Sequence, residues 1–180
     1  YALIINPDAV LDERAVDNFL KTANEYSDFA IISPLVQEDK DLKDNIDITK
    51  PIETNNVKGF GMFLNMIQFE KIGFFDEGTF LFCEERILSK RTSIAGAKNY
   101  LICDINFKHF ASTTIGSLYS TVGQVKLLHE SLLFYIKNYL PNGELKAAVI
   151  WPLLKFKIFQ LNFLQFFKAK VMCRLKKIQL

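Results

Sequence analysis

The chain has 180 residues, of which 49% are hydrophobic and 23% are charged. This balance is typical of a globular domain and excludes a disordered or a collagen-like chain. The formal net charge is +2, but no acidic residue follows Glu144 whereas eight basic residues do. These are Lys146, Lys155, Lys157, Lys168, Lys170, Arg174, Lys176 and Lys177. Such a basic tail predicts an anionic partner, and its many aliphatic and Phe residues favour a membrane surface over a nucleic acid.

The cysteines and the first residues indicate the compartment and the extent of the chain. Cys83, Cys103 and Cys173 lie far apart and form no CxxC pair, so neither a disulfide framework nor a zinc site is indicated. A reducing compartment is therefore expected. The chain begins without Met and without the charged segment of a signal peptide. We interpret it as a piece of a longer protein.

The first elements in chain order predict an α/β sheet. Residues 1–5 are a continuous apolar run followed by Asn-Pro-Asp, a pattern typical of a strand buried on both faces. Asp12 is a suitable N-cap for a helix whose apolar residues recur at helical spacing up to residue 26. Residues 29–33 form a second apolar run, which Pro34 ends. A strand, a helix and a strand in this span predict a βαβ unit and hence a parallel sheet.

The next segment is irregular and rich in turn formers. Residues 37–56 are polar and acidic, so we expect a loop with at most a short hairpin. A strand is predicted over 57–64, and it contains Gly59 and Gly61. Glycine inside a strand is typical of a bulge or of backbone that approaches a ligand closely.

The remaining elements follow from apolar periodicity and from glycine or proline stops. They are a helix over 67–72 ended by Gly73, a helix from Glu84 to Gly96, strands over 100–102 and 105–109, and a helix over 125–140 ended by Pro141.

Two acidic pairs, Asp76-Glu77 and Glu84-Glu85, flank an aromatic segment that is itself typical of buried core. Ionised carboxylates are costly to bury unpaired, so such pairs face solvent, a cation or a substrate. Taken alone, the pairs indicate surface turns and helix starts. The alternative is that at least one pair lines a catalytic pocket.

An ordered series of motifs supports the second alternative. The series is Asn6-Pro7-Asp8, Val57-Lys58-Gly59, Gly73-Phe74-Phe75-Asp76-Glu77, Phe80-Leu81-Phe82-Cys83-Glu84-Glu85, Arg91, Ala95-Gly96 and His109. It resembles the second half of a family-2 glycosyltransferase of the rhamnosyltransferase-like branch, from the first residue to about residue 117. The resemblance implies an α/β, Rossmann-like glycosyltransferase A-type fold that is incomplete at the N-terminus. Residues 1–120 would be the C-terminal part of the catalytic domain and 121–180 a helical, basic, membrane-associated tail.

The implied activity is transfer of a hexosyl or deoxyhexosyl group, with inversion, from a nucleotide-sugar donor to a glycan or lipid-linked acceptor. By resemblance Glu85 matches the catalytic base, which removes the acceptor's proton, and Glu84 matches the acidic residue before it. Asp76 would contact an acceptor hydroxyl. We expect a helix N-terminus to hold Glu85 rigidly and to keep it ionised. The chain departs from the family in having Glu85 where Asp is usual and Ile87 where a further Asp is usual.

On the donor side, the resemblance places Asp8 at the metal and diphosphate site, at the carboxyl end of a strand where open α/β sheets bind ligands. Mg²⁺ or Mn²⁺ prefers oxygen ligands and would neutralise charge on the leaving diphosphate. His109 would bind the metal or a phosphate. Gly59 would lie close to the donor sugar, and Arg91 would meet the diphosphate.

Each of these positions has a structural alternative. Asp8 and Asp76 can be turn residues, Gly59 a packing bulge, Arg91 a helix residue paired with a nearby acid, and His109 a structural strand residue. The corresponding alternative for the whole chain is a non-catalytic sugar-nucleotide or membrane-binding module with a degenerate active site.

The tail is nearly long enough to cross a bilayer over 147–167, but polar residues interrupt it. They are Lys155, Lys157, Gln160, Asn162 and Gln165. With the basic residues around it, this pattern favours a helix in the headgroup region of an anionic cytoplasmic leaflet. A helix packed on the catalytic domain is the alternative. The predicted location is cytoplasmic, peripheral on the inner face of the cell membrane.

Overall fold

The computed structural model of the protein describes residues 1–35, 50–103, 105, 107–109, 116 and 118–178. These residues divide by their contacts into two compact units, 1–77 with 83–114 and 78–82 with 115–180. The strands of the first unit are β1 (Ala2–Ile5), β2 (Ala9–Leu11), β3 (Phe29–Pro34), β4 (Ile52–Glu53), β5 (Gly61–Leu64), β6 (Lys98–Ile102) and β7 (Phe107–His109). Its helices are α1 (Ala15–Glu25), α2 (Met66–Lys71) and α3 (Glu84–Ile94), and the second unit contains α4 (Thr121–Tyr139) and α5 (Gly143–Ile178).

The first unit has a mixed α/β fold. Its main sheet has the order β1-β5-β3-β6-β4, in which only the β3–β6 pair is parallel. The prediction of a parallel sheet is therefore wrong. β1 and β3 do run in the same direction, as a βαβ unit requires, but β5 lies between them and antiparallel to both. A strand with both faces covered appears as a continuous apolar run whatever the direction of its neighbours, so the sequence pattern does not identify them.

Helices cover both faces of this sheet. Because successive strand residues point to opposite faces, Phe63 of β5 packs with Phe19 of α1, while Met62 and Leu64 pack on the other side with Phe69 of α2 and with α3. The rings of Phe19 and Phe63 stack at 5.3 Å. All six residues of β3 are buried, as its central position in the sheet requires.

Several predicted boundaries shift. β1 is an edge strand of the main sheet and is only half-buried, because no strand pairs with its outer edge in the part of the chain that the structure describes. α1 begins at Ala15, and the Asp12 carboxylate instead accepts from the Arg14 N–H at 3.2 Å. The strand expected over 57–64 begins at Gly61, since 57–60 form a loop and turn.

The predicted loop over 37–56 falls partly outside the described residues, which omit 36–49. Its last part contains β4, which pairs antiparallel with β6 and was not expected as a strand of the main sheet. β2 was also missed. It pairs with β7 in a separate two-stranded sheet.

The predicted helices 67–72, 84–96 and 125–140 are confirmed as α2, α3 and α4, with ends within a few residues. Gly73 and Gly96 follow α2 and α3 at φ values of 86° and 71°, the left-handed conformation that makes glycine the usual residue after a helix. α4 begins earlier than expected because the Ser120 side chain caps it by accepting from the Gly123 N–H at 3.2 Å.

In the second unit, α4 and α5 pack against each other across the turn at residues 140–142. Gly143 permits this approach, since a side chain there would collide with the carbonyl of Ile136. The Lys137 and Glu144 side chains form an ion pair of 3.1 Å beside the turn. The segment 78–82 joins this unit through the Ser131 hydroxyl, which donates to the Leu81 carbonyl at 2.6 Å.

Candidate active site

Two turns meet at one edge of the main sheet. Asn6-Pro7-Asp8 forms a β-turn in which the Ala9 N–H donates to the Asn6 carbonyl at 3.1 Å. The Asn6 N–H donates to the Phe60 carbonyl, also at 3.1 Å. Asp8 is therefore a turn residue, which is the structural alternative given for it above. The same hydrogen bonds place its turn beside the one that contains Gly59.

β7 brings His109 to the same place. In the β2–β7 ladder Ala9 and His109 lie directly opposite each other, so the backbone of His109 is next to the residue that follows Asp8. The short apolar run 9–11 after the turn was the sequence signal for this pairing. Because 100 residues separate the two strands in the chain, their proximity follows only from the fold.

Gly59 lies against the acidic pair at the start of α3. A Cβ atom at position 59 would lie 3.4 Å from Glu84 Oε1 and 3.6 Å from Glu85 Oε2. The φ of Gly59 is outside the left-handed region, so its backbone does not require glycine. What glycine provides here is space beside two carboxylates. Gly59 also lies in a turn and not in a strand bulge.

The chain enters α3 through an unusual conformation. Phe82 and Cys83 have φ values of 71° and 66°, a left-handed conformation that costs a non-glycine residue on the order of 1–3 kcal/mol. Among the residues that the structure describes, no side chain caps the helix, and the Ile87 N–H donates to the Cys83 carbonyl at 3.0 Å. This entry places both Glu84 and Glu85 in the first helical turn. Strained backbone of this kind is concentrated at functional sites.

The surroundings of Glu85 act against the expectation that the helix start keeps it ionised. Burial raises the pKa of this carboxyl above its ordinary value of 4.5, and the neighbouring Glu84 raises it further. A hydrogen bond from its own backbone N–H, Arg86 and Lys58 oppose the rise without cancelling it. The first turn of α3 therefore does not keep Glu85 ionised as strongly as the helix dipole suggests. A carboxyl with a raised pKa is better suited to accept a proton near neutral pH.

The atoms around this carboxyl define its surroundings further. Glu85 Oε1 lies 3.9 Å from Nε of the exposed Arg86, and the Glu85 side chain is 24% exposed. Within the described residues, Glu84 Oε2 is buried and has no hydrogen-bond partner. Burial and Glu85 raise the pKa of the Cys83 thiol above 9.0, so Cys83 remains a thiol at neutral pH and is not a nucleophilic thiolate.

The structure pairs Asp76 with Arg91. Arg91 Nη2 lies 2.9 Å from Asp76 Oδ2, and Nη1 donates to the carbonyls of Gly73 and Phe74 at 3.2 and 3.0 Å. Arg91 lies six residues beyond Glu85 on α3, which is about 9 Å along the helix axis. These contacts favour the structural alternatives for both residues, with Arg91 holding the turn that contains Asp76.

Two residues near the site were given no role on the basis of the sequence, although Lys58 is part of the Val57-Lys58-Gly59 motif. Lys58 precedes Gly59 and is close enough to affect Glu85. Ser33 is fully buried near the end of β3, and its hydroxyl accepts from the Lys58 N–H at 3.3 Å. A serine inside an otherwise apolar strand was the available signal, because a buried hydroxyl needs a hydrogen-bond partner.

The surface of α5 is a second feature of functional interest. Within the described residues, one stretch, Gly143–Phe167, is long and apolar enough to cross a membrane; an 18-residue window of it has a mean hydropathy of 1.3, and none of that window is buried inside the protein. Its large exposed apolar side chains are Leu145, Val149, Trp151, Leu153, Phe156, Phe159, Phe163, Leu164, Phe166 and Phe167. Lys155 Nζ lies 3.7 Å from the centre of the Trp151 ring.

No protein-family model matches the chain, and no curated protein matches it.

Proposed function

We propose that the protein is part of an inverting glycosyltransferase that moves a sugar from a nucleotide-sugar donor to a glycan or lipid-linked acceptor. The observation that carries the proposal is the convergence of Gly59 with Glu84 and Glu85 beside the turn of Asp8. Residues from distant parts of the sequence meet there, in the order and with the residue types of the glycosyltransferase motifs. A glycosyltransferase A-type fold is the corresponding proposal for the α/β unit.

In this proposal Glu85 is the general base. An inverting transfer needs one carboxylate beside the acceptor hydroxyl, which takes the proton as the new glycosidic bond forms. The raised pKa of Glu85 increases its affinity for that proton. Glu84 contributes through its negative charge, which is one cause of the raised pKa. Gly59 leaves free the volume that a side chain would otherwise fill beside both carboxylates.

A divalent cation, Mg²⁺ or Mn²⁺, is proposed as the cofactor, with Asp8 as its carboxylate ligand and His109 as the second candidate. The register of β2 with β7 places these two positions close together along the backbone. Within the described residues no group of three His, Cys, Asp or Glu side chains is arranged to hold a metal ion. A cation that takes few protein ligands and completes its shell with substrate phosphates is compatible with so small a donor set. When bound, it would neutralise charge on the leaving diphosphate.

The exposed apolar side chains of α5 support a location at a membrane. Lys155 and Lys157 lie in the middle of the apolar stretch, and the basic residues of 168–177 follow it. A helix in the headgroup region can bury its apolar side chains while its lysines contact anionic lipids. We therefore propose a peripheral site on the cytoplasmic leaflet, where a lipid-linked acceptor would be within reach.

The competing proposal is a non-catalytic module that binds sugar-nucleotides or membranes. The ion pair between Arg91 and Asp76 favours it. The resemblance assigned the Arg91 guanidinium to the diphosphate, but in the structure this guanidinium binds Asp76. The exposed surface of α5 would serve either function.

The deciding experiment supplies the full-length protein with a panel of nucleotide-sugars, a membrane extract as acceptor, and Mg²⁺ or Mn²⁺. Release of nucleoside diphosphate is measured. Wild type is expected to release nucleoside diphosphate in a metal-dependent manner. Glu85→Gln is expected to release far less. Saturable donor binding by both proteins with no release from either would favour the non-catalytic module.

A further inference from the structure

The segment that delivers Gly59 to the acidic pair lies outside every strand. Residues 57–60 connect β4 to β5 without a ladder partner, although Val57 is only 1% exposed. Buried backbone N–H groups need acceptors. Two buried serine side chains supply them to consecutive residues: Ser33 accepts from Lys58 and Ser89 accepts from Val57.

Ser89 makes a second bond that links this segment directly to the candidate base. Its hydroxyl accepts from the Val57 N–H at 3.2 Å and donates to the Glu85 carbonyl at 2.8 Å. A serine that donates to the carbonyl four residues earlier in a helix is common and by itself indicates nothing. Here the same oxygen also holds a different segment, so one buried side chain joins the backbone of Glu85 to that of Val57.

Thr92 shows what the common arrangement looks like on the same helix. Its hydroxyl donates to the Leu88 carbonyl at 2.9 Å, and Thr92 is fully buried. Within the described residues its side chain shows no hydrogen bond to another segment. Thr92 and Ser89 thus share burial and back-bonding, and they differ in the bond to Val57.

We propose that Ser89 is a positioning residue, which sets the separation between Gly59 and the Glu84–Glu85 pair through its bonds to Val57 and to Glu85. Gly59 is in direct reach of the acidic pair, since a Cβ atom there would be in van der Waals contact with Glu84 Oε1 at 3.4 Å. A displacement of the segment by even about 1 Å would change both the room for a sugar and the access of water to Glu85. Ser33 holds the same segment from β3. The inference deepens the proposed function and rests on it.

The test compares Ser89→Ala with the matched control Thr92→Val in the full-length protein, and Ser33→Ala serves as a second variant. Five quantities are measured: the melting temperature, hydrogen exchange of the 57–60 amides, kcat, donor KM, and the pH dependence of kcat. Ser89→Ala should increase exchange at 57–60 and lower kcat about 10-fold or more with donor KM nearly unchanged. Ser33→Ala should act in the same direction.

The acid limb of the pH profile should move to lower pH in Ser89→Ala. Water admitted beside Glu85 removes part of the burial that raises its pKa, while Glu84, Arg86, Lys58 and the Cys83 thiol continue to face it. Thr92→Val should lower the melting temperature comparably and leave exchange at 57–60 and the acid limb as in wild type. A purely structural Ser89 would behave like Thr92.

The inference is overturned if Ser89→Ala leaves exchange at 57–60 at the wild-type level, or if Ser89→Ala and Thr92→Val change all five quantities alike. Failure of the proposed function is recognised separately, by wild-type turnover in Glu85→Gln. In that case the exchange measurement still decides whether Ser89 holds the segment, because it requires no turnover.

Discussion

Glu85 combines features that act against each other. Its position in the first turn of α3 favours the charged carboxylate, whereas burial and the adjacent Glu84 favour the neutral acid. The second pair of effects prevails, so the side chain holds a proton more tightly than an ordinary glutamate does. A raised pKa suits a general base, whereas a carboxylate that only caps a helix is favoured in its charged form.

Under the proposed function, replacing Glu85 should strongly lower turnover without weakening donor binding. Glu85→Gln keeps the shape of the side chain and removes its proton affinity, so kcat should fall by roughly 10²-fold or more. Glu84→Gln should cost less, because Glu84 contributes its charge and does not take the proton. Glu85→Asp introduces the residue usual in the glycosyltransferases that the motifs resemble, and under the proposed function it should retain substantial activity. Wild-type turnover in Glu85→Gln, with chemistry rate-limiting, would show that the two carboxylates are only a helix start.

Glu85→Gln should also stabilise the fold at neutral pH. Because the folded-state pKa of Glu85 lies above 4.5, its contribution to stability is fully present below about pH 4.5 and is lost as the pH rises through the folded-state pKa. Glu85→Gln carries no charge at any pH. Its melting temperature should therefore exceed that of wild type at pH 7, and the difference should disappear on acidification.

Thermal unfolding monitored by circular dichroism from pH 4 to pH 8 measures this effect, with the exposed Glu77→Gln as control for the loss of one charge. A melting temperature of Glu85→Gln below that of wild type at pH 7 would contradict the burial of an acid with a raised pKa.

At the scale of elements, α3 contributes to three features of the first unit: the acidic pair, the segment 57–60 and the turn after α2. Its first turn carries the acidic pair, its middle contributes Ser89, and its last turns carry Arg91, which holds the turn after α2. The acidic pair and Arg91 lie at different positions along the helix, so they can be tested separately.

Arg91→Met should destabilise the fold and leave donor affinity unchanged. The substitution removes a charge-assisted bond to Asp76 and two bonds to backbone carbonyls, so we expect a loss of about 2 kcal/mol. Chemical denaturation measures the loss, and equilibrium dialysis with a nucleotide-sugar measures affinity. Lys90→Met, on the same helix, is the control. A marked fall in donor affinity with wild-type stability would instead restore the diphosphate role of Arg91.

At the scale of the whole molecule, the distribution of charge separates an acidic part, residues 1–144, from a basic tail. The tail forms the long helix α5, whose apolar side chains are exposed in the isolated protein. Such a surface is typical of a partner or a membrane interface, and the charge indicates an anionic one.

Removing residues 146–180 should release the full-length protein from anionic liposomes. Replacing the five basic residues of 168–177 by Gln, which leaves the apolar stretch intact, should weaken binding by about 1 kcal/mol for each residue near the surface. High salt should weaken binding as well, because the Debye length falls from about 10 Å at 0.1 M to about 3 Å at 1 M. Liposome co-sedimentation measures both effects. Retention through 1 M salt and alkaline washing would indicate a spanning helix instead.

The sequence by itself determined the features that depend on near neighbours in the chain. Gly73, Gly96 and Pro141 mark the ends of α2, α3 and α4, because backbone conformation and the lost N–H of proline act locally. The tail's charge is likewise a property of composition. The motif order also identified Gly59 and Glu85 as candidates, although not their distance from each other.

Only the tertiary structure decided which segments become neighbours. β5 lies between β1 and β3, β2 pairs with a strand near residue 108, and Arg91 binds Asp76. The pKa of Glu85 also depends on the fold, since desolvation arises from atoms that distant segments bring around the carboxyl. An apolar run indicates that a strand is buried, and a charged residue indicates that an oppositely charged or polar group is needed nearby. Neither records which distant residue supplies the contact, because that choice follows from the packing of the whole unit.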